Sequence, residues 1–162
     1  MNIRVYRDDD AGAIRECIVE LQDYERTLDP RLRPGTDMAT QYLTQMLDRC
    51  GVYAGRILIV ECDGKVAGFA TVLARMPFQE LDDPPGEYAL VSDLVVLEQF
   101  RRRGYGTALL RAAEQYAVDQ GATELLIGVL SANQIARRLY LQEGFNSHRE
   151  VLSKRYRNKE QR

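Results

Sequence analysis

A short apolar run that leads into a basic turn with two glycines constrains the fold of this chain more than any other stretch. Residues 94–97 are apolar and too few for a helix, which is typical of a strand buried on both faces. After Gly104 and Gly106, apolar residues recur at three- and four-residue spacing, which predicts a helix. Because the first N–H groups of a helix have no partner within it, this order of elements predicts an anion-binding site.

Two common phosphate-binding signatures do not match this turn. A Walker loop ends in Gly-Lys-Ser or Gly-Lys-Thr, and the turn has no such ending. The dinucleotide fingerprint Gly-x-Gly-x-x-Gly needs a third glycine at the position of Leu109. Arg101, Arg102 and Arg103 add positive charge beside the glycines, although a plain tight turn with solvated arginines is the alternative. The sequence therefore favours a phosphate site of a different kind.

Two motifs carry a resemblance to a known family. The first, Arg101-x-x-Gly104-x-Gly106, resembles the pyrophosphate-binding signature of the GNAT superfamily of acyl-CoA-dependent N-acetyltransferases. The second spans residues 133–145 and is similar to the family's Asn-x-x-Ala-x-x-x-Tyr…Gly-Phe motif, at matching spacing. It follows the glycine turn after one further predicted strand, as in the family. The resemblance covers nearly the whole chain and is most specific over residues 92–145.

The resemblance implies a fold. It is an α/β (mixed α+β) GNAT fold, with a mostly antiparallel sheet that is splayed between its fourth and fifth strands and flanked by about four helices. The length of 162 residues predicts one domain, residues 1–162. Sequence patterns predict strands at 2–6, 56–62, 65–76, 88–97 and 123–130, helices at about 8–28, 36–49, 104–120 and 133–142, and one or two closing strands within 145–156. Residues 158–162 are expected to fray.

Three glycines are predicted to lie at a turn, at a helix end and within a strand of these elements. Asp63 and Gly64 form a two-residue turn of the type that joins hairpin strands. Gly51 is predicted to end the second helix. Gly68, inside the return strand of the hairpin, predicts a bulge or a close approach between backbones.

The resemblance also implies acetyl-CoA as cosubstrate. The backbone N–H groups of the turn would cradle its pyrophosphate, and the side chains of the three arginines are candidates for phosphate contacts; the residues concerned are Arg101, Arg102, Arg103, Gly104, Tyr105, Gly106 and Thr107. Because the family often has glycine where Arg102 stands, that side chain is expected to point outward. The pantetheine arm would lie between the splayed strands, against the main chain of Leu94, Val95 and Val96. The N–H of Val95 is the predicted donor to the acetyl carbonyl.

Transfer of an acetyl group to an amine requires a base for the amine and an acid for the thiolate. By resemblance Tyr140 is the general acid, since a phenol with a pKa near 10 can protonate a departing thiolate. A buried core aromatic is the alternative. Asn133 could cap the following helix and, by resemblance, would also contact the pantetheine arm. Three carboxylates are candidates for the base, directly or through water, or else for salt bridges at the edge of the sheet, in the order Asp93, Glu87 and Glu124.

Acidic residues gather in the two segments that usually wall the acceptor site in this family. They are Glu20, Asp23, Glu25 and Asp29 in the first helix, and Glu80, Asp82, Asp83 and Glu87 in the loop before the fourth strand. A negative mouth would attract a cationic amine, such as a polyamine, an aminoglycoside or a protein lysine. A solvated helix surface has the same composition. The predicted activity is N-acetylation of a primary amine, and a non-catalytic acyl-CoA-binding sensor is the alternative.

Composition limits the other classes of function. A formal net charge of −2 argues against a nucleic-acid-binding protein. The sequence has no apolar run of membrane-spanning length and no signal-peptide pattern at its start, so a cytoplasmic protein is expected. Cys17, Cys50 and Cys62 lack the Cys-x-x-Cys spacing, which predicts reduced structural thiols and no metal site. A homodimer through the closing strands is common in such folds and is an open expectation.

Overall fold

A five-stranded sheet lies at the centre of the computed structural model, which describes residues 1–156. The strands lie side by side in the order of the sequence, and each neighbouring pair is antiparallel except the last, which is parallel. Their bounds are β1 Asn2–Val5, β2 Gly55–Cys62, β3 Lys65–Pro77, β4 Glu87–Val96 and β5 Leu125–Ile127. This mixed sheet confirms the predicted fold class.

Within residues 1–156, four α-helices cover the two faces of the sheet. They are α1 Ala11–Leu28, α2 Ala39–Val52, α3 Tyr105–Asp119 and α4 Gln134–Gln142. On one face α1 and α2 bury an apolar cluster around Ile14, Leu43 and Phe69. On the other face α3 and α4 pack over a second cluster that includes Val72 and Leu109. The sheet is therefore buried on both faces, as the apolar strands of β2 and β3 require.

Local patterns predicted most of these elements closely. The turn at Asp63 and Gly64 has φ angles of 51° and 74°, which confirms the hairpin turn that favours glycine. A Cβ on Gly68 would collide with the carbonyl oxygen of Val95, which confirms a close approach of β3 to β4. The prediction that Gly51 ends α2 is wrong, because the helix continues through it to Val52. There the chain must turn into β2, which sets the end of the helix.

The prediction of closing strands within residues 145–156 is wrong, since this segment of the described chain forms no strand. Val151 and Leu152 are both 91% exposed. Adjacent residues of a strand point to opposite faces, so this pair gives the segment no apolar face to bury. β5 is also shorter than its predicted range. The prediction that residues 158–162 fray lies outside the described residues.

Candidate active site

A β-bulge in β4 decides which way its polar side chains point. Thr71 of β3 lies opposite Asp93, but the next β3 residue, Val72, lies opposite Val91, so Ser92 is the extra residue. Before the bulge, Val91 packs into the cluster under α3. After it, Val95 packs into the cluster under α1 and α2. The bulge therefore turns the end of β4, including the Asp93 carboxylate, toward α1 and α2.

A gap opens between β4 and β5 just after this bulge. The two strands pair from Ala89–Leu125 to Val91–Ile127 and then separate. Residues 92–96 consequently pair with β3 on one side only, within the part of the chain that the structure describes. This is the splay predicted between the fourth and fifth strands.

The register of β3 and β4 fixes which main-chain groups face the gap. The N–H of Leu97 donates to the carbonyl of Ala67 over 3.0 Å. Because bonded pairs alternate along an antiparallel ladder, Val95 also bonds to β3, whereas Leu94 and Val96 direct their main-chain groups to the gap. Among the residues predicted to line the pantetheine arm, the N–H of Val95 therefore points away from it.

The glycine turn presents a series of unpaired N–H groups. Those of residues 102–107 donate to no backbone or side-chain acceptor within residues 1–156, and the first bond of this turn runs from Ala108 to the carbonyl of Gly104. Arg102 and Gly104 adopt φ angles of 59° and 79°, and the Arg102 side chain is exposed, as expected. Positive φ at alternate residues makes the N–H groups converge into an anion-binding concavity.

Gly106 has a different use from Gly104. Its φ is not positive, and an added Cβ would lie 3.4 Å from Leu139 and 3.9 Å from Val96, which are ordinary contact distances. The fold by itself thus tolerates a side chain at Gly106, so its absence leaves clearance beside the N–H groups. Clearance and converging donors are what a pyrophosphate group requires. The turn therefore fits the pyrophosphate of CoA.

The Arg101 side chain is engaged in joining β4 to α1. Its Nε donates to the carbonyl of Val96 over 2.9 Å, and its guanidinium pairs with Glu20 at 3.0 Å. The same Glu20 carboxylate accepts the N–H of Glu98 over 2.6 Å. Arg102 and Arg103 are exposed beside the turn. Because its contacts hold Arg101 in place, Arg102 and Arg103 are freer than Arg101 to bind a phosphate group.

Asp93 is a buried carboxylate surrounded by hydroxyl groups. It is 5% exposed and accepts hydrogen bonds from the Tyr42 hydroxyl at 2.6 Å and the Ser92 hydroxyl at 2.7 Å. Thr71 lies directly opposite on β3. Burial raises the pKa of Asp93, and the hydrogen bonds from these hydroxyl groups offset only part of that rise. A carboxyl group with a raised pKa is a better proton acceptor than an exposed one.

A small cavity of about 30 Å³ lies next to Asp93, which is room enough for one water molecule. Its lining comes from α2, β3 and β4: Tyr42, Gln45, Met46, Arg49, Thr71, Leu73, Ser92 and Asp93. The buried carboxylate thus borders a space of the size of a water molecule.

Tyr140 of α4 belongs to the apolar cluster against which Leu94 and Val96 of β4 pack. It is buried on α4, with its ring 6.1 Å from that of Phe145. Burial, and next the charge of Glu25, raise the pKa of Tyr140 to about 12, so the phenol stays protonated at neutral pH. Asn133 caps α4, as predicted, through a bond from the N–H of Ala136 at 3.1 Å. Tyr140 thus packs near the unpaired end of β4, on the helix that Asn133 caps.

The other predicted carboxylates lie elsewhere. Glu87 begins β4, pairs with Arg75 at 2.8 Å and is roughly 20 Å along the strand from Asp93. Glu124 is exposed just before β5, next to the paired half of β4. The structure therefore brings neither of them together with Tyr140.

Sequence reasoning did not single out two residues of this site. Tyr42 follows the apolar spacing of α2, so it resembled a core residue. Glu25 was one of several acids at a predicted mouth, although it continues the apolar spacing of α1 after Ile18 and Leu21. A charged residue on an apolar stripe was the available signal.

Sequence comparisons match this chain to a family. The sequence profile of the acetyltransferase (GNAT) family matches residues 19–145. The uncharacterized N-acetyltransferase YhfO of Bacillus subtilis (strain 168) is 29% identical over 147 residues, which are 90% of this chain and 89% of YhfO. Aminoglycoside N(6')-acetyltransferase type 1 of Klebsiella aerogenes is 32% identical over 98 residues, or 60% of this chain and 63% of that protein. A further relative, YycN of B. subtilis, is 37% identical, and the match spans 46% of its length.

Solved structures share the fold. The BH1408 protein of Bacillus halodurans, as a tetramutant, superposes with a TM-score of 0.83 at 16% identity, over 96% of this chain and all of that one. Aminoglycoside N-acetyltransferase AAC(6')-Iy in complex with CoA superposes with a TM-score of 0.68 at 20% identity, over 97% of this chain and all of that one. Among the residues that our structure describes, no helix is long and apolar enough to cross a membrane.

Proposed function

This chain belongs to the acetyltransferase (GNAT) family, and on that premise we propose that it transfers the acetyl group of acetyl-CoA directly to a primary amine, within a ternary complex. One observation carries the proposal. The edge of β4 that is unpaired after Val91 runs from the buried carboxylate of Asp93 toward the unpaired N–H groups of residues 102–107, and the buried phenol of Tyr140 belongs to the apolar cluster against which Leu94 and Val96 pack. Acetyl-CoA supplies an activated acetyl thioester.

The glycine turn and the gap would hold the two halves of the cosubstrate. The N–H groups of residues 102–107 bind the pyrophosphate, and exposed Arg102 and Arg103 add attraction. The main chain of Leu94 and Val96 takes the place of a missing strand neighbour for the pantetheine arm. One N–H of that pair would donate to the acetyl carbonyl; Leu94 or Val96 replaces Val95 in this proposal because the N–H of Val95 bonds to β3.

Asp93 would remove the proton from the acceptor amine. An amine that is cationic at neutral pH must lose a proton before it can attack a carbonyl carbon. Because its pKa is raised, Asp93 binds a proton more readily near neutral pH than an exposed carboxylate does. The adjacent cavity has room for one water molecule through which the proton would pass. Glu87 has no part in this proposal, because it lies at the far end of the strand.

Tyr140 would protonate the sulfur as the acetyl group leaves it. A phenol with a pKa of about 12 remains protonated at neutral pH, so its hydroxyl is ready to donate. The resulting phenolate then takes a proton from the acetylated nitrogen, which at this point carries one proton more than in the neutral amide. Both transfers take place in a site that apolar side chains shield from bulk water.

Related proteins support amines as acceptors without naming the one used here. A relative is an aminoglycoside N(6')-acetyltransferase, and a structural neighbour of that type was solved with CoA. The proposed acceptor is therefore a small cationic amine or a protein lysine. The single domain, the homodimer and the cytoplasmic location stay predictions from the sequence.

The experiment combines calorimetric titration of acetyl-CoA with an assay of thiol release over a panel of primary amines. We expect one-site binding in the wild type, with turnover of at least one amine. Tyr140→Phe should bind acetyl-CoA with unchanged affinity and turn over about tenfold to a hundredfold more slowly, because only the proton donor is lost. Phe145, its ring neighbour, provides a matched control as Phe145→Leu.

The outcomes distinguish an enzyme from a non-catalytic sensor and test the role of Tyr140. Binding with no turnover of any amine would identify a non-catalytic acyl-CoA sensor. If acetyl-CoA does not bind, both the enzyme and the sensor are ruled out. Full activity of Tyr140→Phe across the pH range would show that Tyr140 is not the general acid, without contradicting the rest of the proposal.

A further inference from the structure

The second half of α1 lies along the gap between β4 and β5. Glu20 accepts the N–H of Glu98 just beyond β4. One turn later, the Tyr24 hydroxyl lies 3.5 Å from the side-chain oxygen of Asn133, at the start of α4. The helix therefore contacts both walls of the gap, and residues next to Tyr24 are close to the chemistry proposed above.

Glu25 occupies the inward face of this part of α1. Ile14, Ile18 and Leu21 precede it at spacings of three and four residues, and these residues face the sheet. Glu25 itself is half-buried. A carboxylate at this position is thus directed toward the interior, where a charge without a partner is costly.

The charge of Glu25 acts on two groups of the site, and the charge of Asp93 acts on Glu25. Burial, and next the charge of Asp93, raise the pKa of Glu25. Glu25 in turn contributes to the raised pKa of Tyr140 and of Tyr42. Asp93, Tyr140 and Tyr42 come from β4, α4 and α2, and the contacts of Glu20 and Tyr24 place this part of α1 beside the end of β4 and the start of α4.

Glu25 differs from the other acids on its helix. Glu20 pairs with Arg101, Asp23 accepts the N–H of Gly35, and Asp29, just after the helix, pairs with Arg31. The carboxylate of Glu25 makes no ion pair and accepts no hydrogen bond from any residue in the described range 1–156, although the backbone carbonyl of Glu25 accepts the N–H of Asp29 at the end of the helix. Of the acids predicted to line the mouth from α1, it is therefore the one left to meet a cation from outside.

We propose that Glu25 binds the ammonium group of the acceptor amine and holds it between Asp93 and Tyr140. The inference rests on the proposed function and adds the residue that recognises the cationic acceptor. Glu25 is in this role a substrate-binding residue that determines specificity, and the proton still leaves through Asp93. A charge-assisted hydrogen bond to the ammonium compensates the burial of the carboxylate.

The test uses 1,4-diaminobutane as the cationic probe and the full-length protein saturated with CoA. Calorimetric titration should show binding of the diamine to the wild type, and Glu25→Gln should weaken it by about tenfold or more, because a hydrogen bond between two charged groups is lost. Glu16→Gln is the matched control, since Glu16 is an exposed acid on the same helix and the net charge changes equally. Its affinity for the diamine should stay within twofold of the wild type.

Kinetics with the same variants give a second readout. With 1,4-diaminobutane as acceptor, Glu25→Gln should raise KM and leave kcat within a few-fold, whereas a lost base lowers kcat. Aniline is uncharged at neutral pH, and Glu25→Gln should not weaken its use.

Equal diamine affinity in the wild type and Glu25→Gln would overturn the inference, and so would the absence of diamine binding to the wild type. Acetyl-CoA binding is measured in parallel. If acetyl-CoA binds and the diamine does not, the inference alone fails. If acetyl-CoA does not bind, the proposed function fails as well.

Discussion

Two aspartates of this protein are buried to nearly the same degree but have opposite surroundings. Asp10 is 7% exposed, and its carboxylate accepts two hydrogen bonds from the Arg4 guanidinium, at 2.7 and 2.8 Å. Asp93 is 5% exposed and accepts its hydrogen bonds from hydroxyl groups, while the cation Arg49 lines the adjacent cavity and makes no ion pair with it within residues 1–156. The pKa of Asp10 is lowered, chiefly by Arg4, whereas burial raises the pKa of Asp93.

The difference separates a carboxylate that holds the fold together from one suited to chemistry. Arg4 also bonds to Glu61, so the pair at Asp10 ties the start of the chain to β2. Neutral hydroxyl groups fix the position of Asp93 without satisfying its charge, which leaves it able to take a proton. Burial alone would not tell the two apart. The identity of the partner does.

The largest expected effect is that of Asp93→Asn on catalysis. The amide keeps the shape of the side chain and can still accept from Tyr42, but it cannot take a proton. We expect kcat to fall by about a hundredfold or more, with acetyl-CoA affinity unchanged. Steady-state kinetics and calorimetry measure the two quantities. Because the raised pKa means that burial disfavours the charged form, the free energy of unfolding at pH 7 should not decrease.

Asp10→Asn is the reciprocal variant and should act on stability. It leaves the Arg4 guanidinium with only one carboxylate, so we expect the free energy of unfolding to drop by about 2 kcal/mol, with kcat of the folded protein unchanged. Urea unfolding at pH 7 measures the effect. Asp9→Asn, at an exposed neighbour, should change stability by less than about 0.5 kcal/mol.

The pH dependence of stability sharpens this result. Since the folded pKa of Asp10 is lowered, its contribution to stability is present above about pH 4 and is lost as pH falls through the folded value. The wild type should therefore lose its advantage over Asp10→Asn in acid. An advantage that persists to pH 2 would show that the ion pair is not its source.

The smallest expected effect is that of Tyr42→Phe on the pH–rate profile. The Tyr42 hydroxyl lowers the pKa of Asp93 by donating to it, so its removal should raise that pKa. A hydrogen bond of about 1 kcal/mol corresponds to somewhat under one pH unit. The acid limb of kcat should move to higher pH by that amount. Tyr53→Phe, at the end of α2, should leave the limb in place, and an unmoved limb in Tyr42→Phe would contradict the role of Asp93 as the base.

Local signals predicted the parts of the fold that local chemistry controls. The apolar spacing of α1 placed its last residue at Leu28, and Asp63-Gly64 placed the hairpin turn. Asn133 was identified as a helix cap from its residue type and position. The glycine turn was located from the positions of its glycines. Each of these features depends on residues within one or two turns of chain.

The details of the site depended on contacts between distant segments. No local pattern indicated that Ser92 is a bulge, which is defined only by the pairing of β4 with β3. The bulge and register decide the direction of the Val95 N–H and the burial of Asp93 against α2. The partners of Glu25 belong to three elements far apart in the sequence, so their proximity was not readable either.

The sequence by itself therefore determined the order of the elements, the phosphate turn and the family resemblance, because spacing and turn residues act over short stretches. The tertiary structure alone decided which of several acids is paired, which is left facing the gap and which N–H groups are free. Those properties follow from how strands align and helices pack. Distances and dielectric surroundings that arise there set the pKa of a carboxylate, and the residue type does not.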